Sequence, residues 1–470
     1  MLGGSALRPE RGSDLTPARP LRILSPLLFA VVGAIVPPAQ SEPIRSGAPM
    51  APSAASMPDS AAKALPKGSE LPKNPEAREA LLEARRAMQE GKLDVAETAL
   101  ARAMQLEPKA YGPVLASADL ALRRGRVAEA NQQMKKALSL APESAEVATA
   151  AGRLAAGQNL RAEAEAQYRR AIKIDPAFVM PYLDLGELQL ASGKAKDAEA
   201  SFRLAQKADP AHAGAAYGLG RSLVAQRELR GAQAAFEQSA SLAPKIPIPL
   251  VALAEVQLAL GETTRALATA ERASTLDPNF LPAKLVRVDI LAASGQTDAA
   301  LQQLDRVIAD LGNSAPAALY FKQGSLYGSA RKLDEAMRAY RKAIEIDPNF
   351  HPALNNMAWI SAVRRADLDA ALGWAKQAVQ LNPNSLNYLD TLATVQLARG
   401  DTQGAMATLA QALKRDKNQP TILFRMGQAQ EMAGQTAQAQ ASYKAALDTG
   451  RPFPEAADAR KRLSGLGAKP

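Results

Sequence analysis

The sequence predicts an all-α solenoid built from copies of one helix–turn–helix unit. Three observations predict it. The phrase "YRRAIKIDP" from Tyr168 returns as "YRKAIEIDP" from Tyr340. Pro108, Pro142, Pro176, Pro210, Pro244 and Pro278 stand 34 residues apart, and Pro348 and Pro383 continue the series with two and one inserted residues. Small residues recur at fixed places between those prolines. Self-similarity at such a period marks a repeat architecture, in which each unit buries its apolar face only against its neighbours.

Each element of the unit has its own residues. With the proline counted as position 32, position 8 of the first helix is small: Ala84, Ala118, Gly152, Gly186, Gly220, Ala254, Gly324, Ala358, Ala393 and Gly427. Position 20, in the second helix, is alanine in every copy from Ala96 to Ala439. Small side chains there let the two helices approach, since larger ones would overpack the contact. Position 24 supplies the filler, as Leu100, Met134, Tyr168, Phe202, Phe236, Leu304, Tyr340, Leu409 and Tyr443. Glycine at position 15 (Gly91, Gly125, Gly193, Gly261, Gly295, Gly400, Gly434) suits the left-handed end of the first helix. Proline then stops the second helix, because the residue before it is pushed out of the α region. On these motifs the chain resembles the tetratricopeptide repeat (TPR) family, over about eleven repeats across residues 77–453. The resemblance implies a right-handed superhelix whose first helices line a concave face, with protein or peptide ligands touching positions 2, 5, 6, 9 and 12.

The ends read differently. Arg19 and Arg22 precede an apolar run, Ile23 to Val36, and then Ala39-Gln40-Ser41. That is the layout of a secretory signal peptide, expected over residues 1–41 with cleavage after Ser41. The run falls short of the ~20 residues that span a bilayer, so no transmembrane span is expected in the mature chain. A Pro/Ala/Ser-rich linker is expected over 42–76. Residues 454–470 are expected to form a capping helix and tail, with Ala456, Ala457, Ala459 and Leu463 covering the last repeat.

Composition narrows the function classes. The chain has no cysteine, which excludes a disulfide scaffold, a Cys-ligated zinc site and a lipidated N-terminal cysteine. Net charge is +10, and loss of residues 1–41 removes four arginines and two acids, leaving +8. The basic residues are scattered among acids and aromatics are only 4%, so nucleic acid is not an expected partner. The repeats leave no room for a catalytic domain. The only histidines, His212 and His351, sit at inter-repeat bends, and no phosphate loop, GxSxG elbow or HExxH is present. No enzyme activity and no cofactor or metal are expected.

Function is then expected from surface. Position 9 reads Arg85, Asp119, Arg153, Glu187, Arg221, Glu255, Asp289, alternating in sign over the first six. These charges are expected to pair with one another across successive first helices. Beyond Asp289 the pattern changes to Phe321, Lys322, Asn355, Asn356, Trp359, Asp390, Phe424 and Arg425, and this set is the candidate partner-binding face. The stretches "NNMAW", "SLNYLDTLATVQLARGD" and "FPEAADARKRL" look like those of exported bacterial TPR proteins of exopolysaccharide and exosortase systems. That resemblance implies a periplasmic or secreted, non-catalytic scaffold for envelope or secretion components. The alternative is an accessory or carbohydrate-binding factor in exopolysaccharide biosynthesis or export.

Overall fold

The computed structural model describes residues 71–467; the expected signal peptide and most of the expected linker lie outside them. Among the described residues there are eleven α-helix pairs, one further α-helix, a short 3-10 helix (Gly312–Ser314) and no strand. They fall into two compact units, divided between residues 290 and 291. In the N-terminal unit six hairpins run from Pro75–Gln89 with Leu93–Leu106 to Ile248–Ala259 with Thr263–Leu276. In the C-terminal unit repeats 8 to 11 are Ala317–Ser329 with Leu333–Ile346, His351–Arg364 with Leu368–Leu381, Leu386–Ala398 with Thr402–Leu413, and Pro420–Met432 with Thr436–Asp448.

The first helix begins inside the expected linker. Pro75 occupies its first turn, where a missing N–H costs nothing. Asn74 caps it by accepting from the N–H groups of Glu76 (2.9 Å) and Ala77 (3.4 Å).

The Asp-Pro phrase is a stop signal made of two parts. The Asp175 carboxylate accepts from the backbone N–H of Ala177 at 2.9 Å, bridging over Pro176. Asp209, Asp277 and Asp347 do the same for Ala211, Asn279 and Asn349. The aspartate fixes the turn while the proline forbids another helical residue.

Within each hairpin the position-20 alanines, from Ala96 to Ala439, are fully buried. Position 8 and position 24 match one another in size. Glycine stands opposite an aromatic ring in the pairs Gly152–Tyr168, Gly186–Phe202, Gly220–Phe236, Gly324–Tyr340 and Gly427–Tyr443. A β-carbon on Gly152 would lie 2.5 Å from the Tyr168 ring, and one on Gly324 would lie 2.6 Å from Tyr340. Where position 8 is alanine, its counterpart is aliphatic, as in Ala84–Leu100 and Ala393–Leu409. In these repeats one hairpin contact is thus filled to similar volume in two ways, whereas Ala254–Ala270 and Ala358–Ala375 set two alanines opposite each other.

All eleven first helices end on a left-handed residue at position 15. Seven use glycine. Asn159 (φ 60°), Arg227 (64°), Arg331 (60°) and Arg365 (50°) take the same conformation with a side chain. Repeat 9 carries its extra residue here, and Asp367 (51°) adds a second left-handed residue to the same turn.

The last helix, Ala456–Gly465, buries Ala459 and Leu463 against Phe424, Tyr443 and Ala446. Ala457 is exposed and covers nothing. Arg462 reaches back to Glu431 at 3.0 Å, fastening the cap to repeat 11.

Candidate partner-binding face

The eight candidate residues separate into three kinds. Phe321 and Phe424 are core. Phe321 lies 5.6 Å from the Tyr340 ring and 5.4 Å from Phe350, and Phe424 packs on Tyr443 at 5.6 Å. Both are buried and offer no ring to a partner.

Asp390 and Arg425 satisfy each other. The guanidinium donates twice, to Asp390 Oδ1 at 3.0 Å and Oδ2 at 3.2 Å, and also to Gln428 at 3.3 Å. Burial alone would lower the Arg425 pKa, but the charge and hydrogen bonds of Asp390, with Glu455 nearby, outweigh it and raise it. The pair joins the first helices of repeats 10 and 11. It is a strut.

Lys322, Asn355, Asn356 and Trp359 stay partly exposed. Asn356 donates to the Tyr340 hydroxyl at 3.1 Å, and Asn355 donates to Asn356 Oδ1 at 3.3 Å. The Asn355 carbonyl oxygen has no hydrogen-bond partner. Trp359 follows Asn355 by four residues, so both lie on one face of the helix.

The N-terminal charges pair, but only partly along position 9. Arg221 meets Glu187 at 2.5 Å as expected. Arg153 turns instead to Asp184, at position 6 of the next repeat, at 2.6 Å. Asp119 pairs within its own helix with Arg123 at 3.1 Å. Asp184 is the more buried partner, and that burial raises its pKa against the opposing pull of Arg153. A carboxylate at position 6, one turn nearer the N-terminus, therefore replaces the expected Glu187 partner.

Models of the tetratricopeptide repeat match residues 87–154, 257–323 and 396–463, residues 317–350, and residues 149–213, 183–244 and 217–279. Together they cover well over half of the chain. The chain belongs to the tetratricopeptide repeat family. Its repeats are protein-interaction modules, and the chain is a protein–protein interaction scaffold. Among solved structures it is similar to yeast Tom70, at 15% identity over 83% of this chain and 95% of that one, with a TM-score of 0.44. It is also similar to the Cut9 and Hcn1 hetero-tetramer of the APC/C, at 13% identity over 84% and 100%, with a TM-score of 0.42. PilF of Pseudomonas aeruginosa matches at 18% identity over 44% and 95%, with a TM-score of 0.38. No curated protein matches the chain.

This TPR chain also carries an inter-repeat seam that the sequence reading missed. Position 14, just before the turn, reaches back to the start of the preceding second helix. Arg124 meets Asp94 at 2.5 Å, Arg364 meets Asp334 at 2.5 Å, and Arg399 meets Asp369 at 2.7 Å. Gln158 donates to Asn131 and Gln226 to Glu199 at the same level, both at 2.8 Å. The available signal was a long polar side chain at position 14 with an acid or amide at position 18 or 21 of the repeat before. His351 is a link of the same kind, its Nδ1 2.7 Å from the Tyr388 hydroxyl of the next repeat.

Among the described residues no group of three His, Cys, Asp or Glu could hold a metal ion. No helix among them is long and apolar enough to cross a membrane.

Proposed function

We propose that this TPR scaffold is exported and works in a bacterial envelope, secretion or polysaccharide assembly, gripping an extended segment of a partner protein on the first helices of repeats 8 and 9. The observation that carries the reading is Asn355. Its carbonyl oxygen lacks a partner within the chain, and partly exposed Trp359 lies one turn away. An unanswered buried acceptor costs about 1–3 kcal/mol, and rotation of the Asn355 amide on docking would present it to a peptide N–H that relieves that cost. Trp359 then receives an apolar side chain, and Lys322 favours an acidic one. Tryptophan is among the residues that dominate binding energy at such faces. Export is supported by the Arg22, apolar-run and Ala39-Gln40-Ser41 layout, and the absence of cysteine speaks against a lipid anchor.

The test captures partners from envelope extracts with the mature chain and identifies them by mass spectrometry. Trp359→Ala and Asn355→Ala should each lose the captured partner, whereas Arg153→Ala should keep it. The native protein's N-terminus should lie near Glu42. Capture of polysaccharide or its synthases through the same residues would favour the accessory role in exopolysaccharide synthesis.

A further inference from the structure

Several departures from the repeat meet at one seam, between the second helix of repeat 8 and the turn of repeat 9. That turn carries the inserted residue and two left-handed residues, Arg365 and Asp367. A cavity of about 380 Å³ opens beside it, with Met337 and Ile360 as apolar lining and Arg338, Arg341 and Arg364 around them. A second cavity of about 240 Å³, lined by Tyr320, Tyr327 and Lys342, adjoins the first and shares Arg338 with it.

One charge is specific to this seam. Position 21 is apolar here, as Met337, and is likewise apolar at Leu267, Leu301, Leu372 and Met406. Position 22 is Thr98, Gln132, Gln302, Gly373 or alanine in the other repeats, and only here is it charged, as Arg338. Of the acids, Asp334 and Asp367 line the larger cavity, Glu335 lines the smaller one, and Glu345 lies nearby. Asp334 is taken by Arg364, Lys342 pairs with Glu345 at 3.0 Å, and Glu335 reaches Arg338 only at 3.9 Å. The equivalents of Arg341 at position 25 in repeats 3 and 4 behave differently. Arg169 and Arg203 each pair with a glutamate four residues earlier, at 2.6 and 2.8 Å.

We propose that this seam is a second docking site, distinct from the first-helix face, that takes an acidic peptide segment. Carboxylates bind Arg338 and Arg341, and an apolar side chain between them enters the larger cavity against Met337 and Ile360. The volume suits a few side chains, and Arg clusters are a recurrent receiver of acidic motifs. Ala366 and Asp367, in the lengthened turn, form part of the cavity's lining.

The probe is a fluorescein-labelled peptide of alternating glutamate and leucine, read by anisotropy on the full mature chain at low salt. Arg338→Ala and Arg341→Ala should each weaken binding about fivefold or more, as lost charge-assisted hydrogen bonds do. Deleting Ala366, which restores the turn length of the other repeats, should weaken it comparably. The double variant Arg169→Ala/Arg203→Ala removes two positive charges and should leave affinity within about twofold, and a glutamine–leucine peptide should not bind. Equal loss in the Arg169/Arg203 double variant, or no loss with Arg338→Ala and Arg341→Ala, would overturn the site. Trp359→Ala should leave this binding unchanged, so the two docking readings fail separately.

Discussion

The first-helix faces of the two units solve their electrostatics differently. In the N-terminal unit the charges are met by the chain itself: Glu187 by Arg221, Asp184 by Arg153, Asp119 by Arg123. In the C-terminal unit one pair, Asp390 with Arg425, is buried about as deeply as Arg221 with Glu187 and far more than Asp119 with Arg123. The repeat before it carries the amides Asn355 and Asn356 and Trp359; unpartnered amide oxygens occur in both units, at Asn355 here and at Gln133, Gln167 and Gln257 in the other. A face whose charges are matched internally offers little to a partner, because docking must first desolvate or break those pairs. A face of amides and an aromatic has little to break. The difference teaches where to look for a ligand in a repeat protein: where the chain's own pairing stops.

The largest expected effect separates struts from surface pairs. Arg425→Ala strands Asp390 half-desolvated and should cost about 3 kcal/mol in denaturant unfolding, as broken buried pairs do. Arg123→Ala, in a pair half exposed on both sides, should cost about 1 kcal/mol or less. Equal costs would erase the distinction between the two faces.

The second prediction tests packing and site together. Gly152→Ala and Gly324→Ala each press a β-carbon into a tyrosine ring and should cost about 1–3 kcal/mol. Adding Tyr168→Leu or Tyr340→Leu should recover part of the loss, recreating the Ala–Leu pair of repeats 1 and 10. Only Tyr340→Leu should also weaken partner binding, because the Tyr340 hydroxyl holds Asn356.

Smaller still, Arg331→Gly relieves a left-handed non-glycine residue and should stabilise the chain by about 1 kcal/mol. In the N-terminal unit Arg227→Gly should do the same, so unequal gains would show that the two turns are not equivalent.

The smallest effect is a pH dependence confined to the C-terminal unit. Burial lowers the His351 pKa below its ordinary 6.5, with Asp347 partly opposing. The neutral ring shares a hydrogen bond, through Nδ1, with the Tyr388 hydroxyl, whose own pKa burial pushes up to about 12. The unfolded chain therefore binds the proton first. Stability from this group is present above 6.5 and declines as pH falls from there through the folded-state value. His351→Gln should flatten that slope, measured by denaturant unfolding across pH.

Much of the fold was legible because a fixed period fixes angles. The position-20 alanines and the left-handed turns follow from sequence spacing alone. The coupling of position 8 to position 24 was equally present in the letters, but it appears only when both are known to touch. The binding face was less legible. Position 5 holds Phe321 and Phe424 inside the structure, yet Asn355 and Asp390 at the same position remain partly exposed. Periodicity sets where a side chain leaves the helix. Whether a ring from the preceding or following loop, such as Phe350 or Phe453, meets it there depends on the neighbour. Likewise, sign alternation at position 9 suggested Glu187 for Arg153, but the reach of the guanidinium brought it to Asp184.

Hydrogen exchange on the mature chain, with and without its captured partner, tests the central claim most directly. Slowed exchange should fall on Ala317–Ser329 and His351–Arg364, with the first helices of repeats 3 to 5 unchanged. Protection on Ala145–Gly157, Met180–Ala191 and Ala213–Ala225, and none around Trp359, would contradict it.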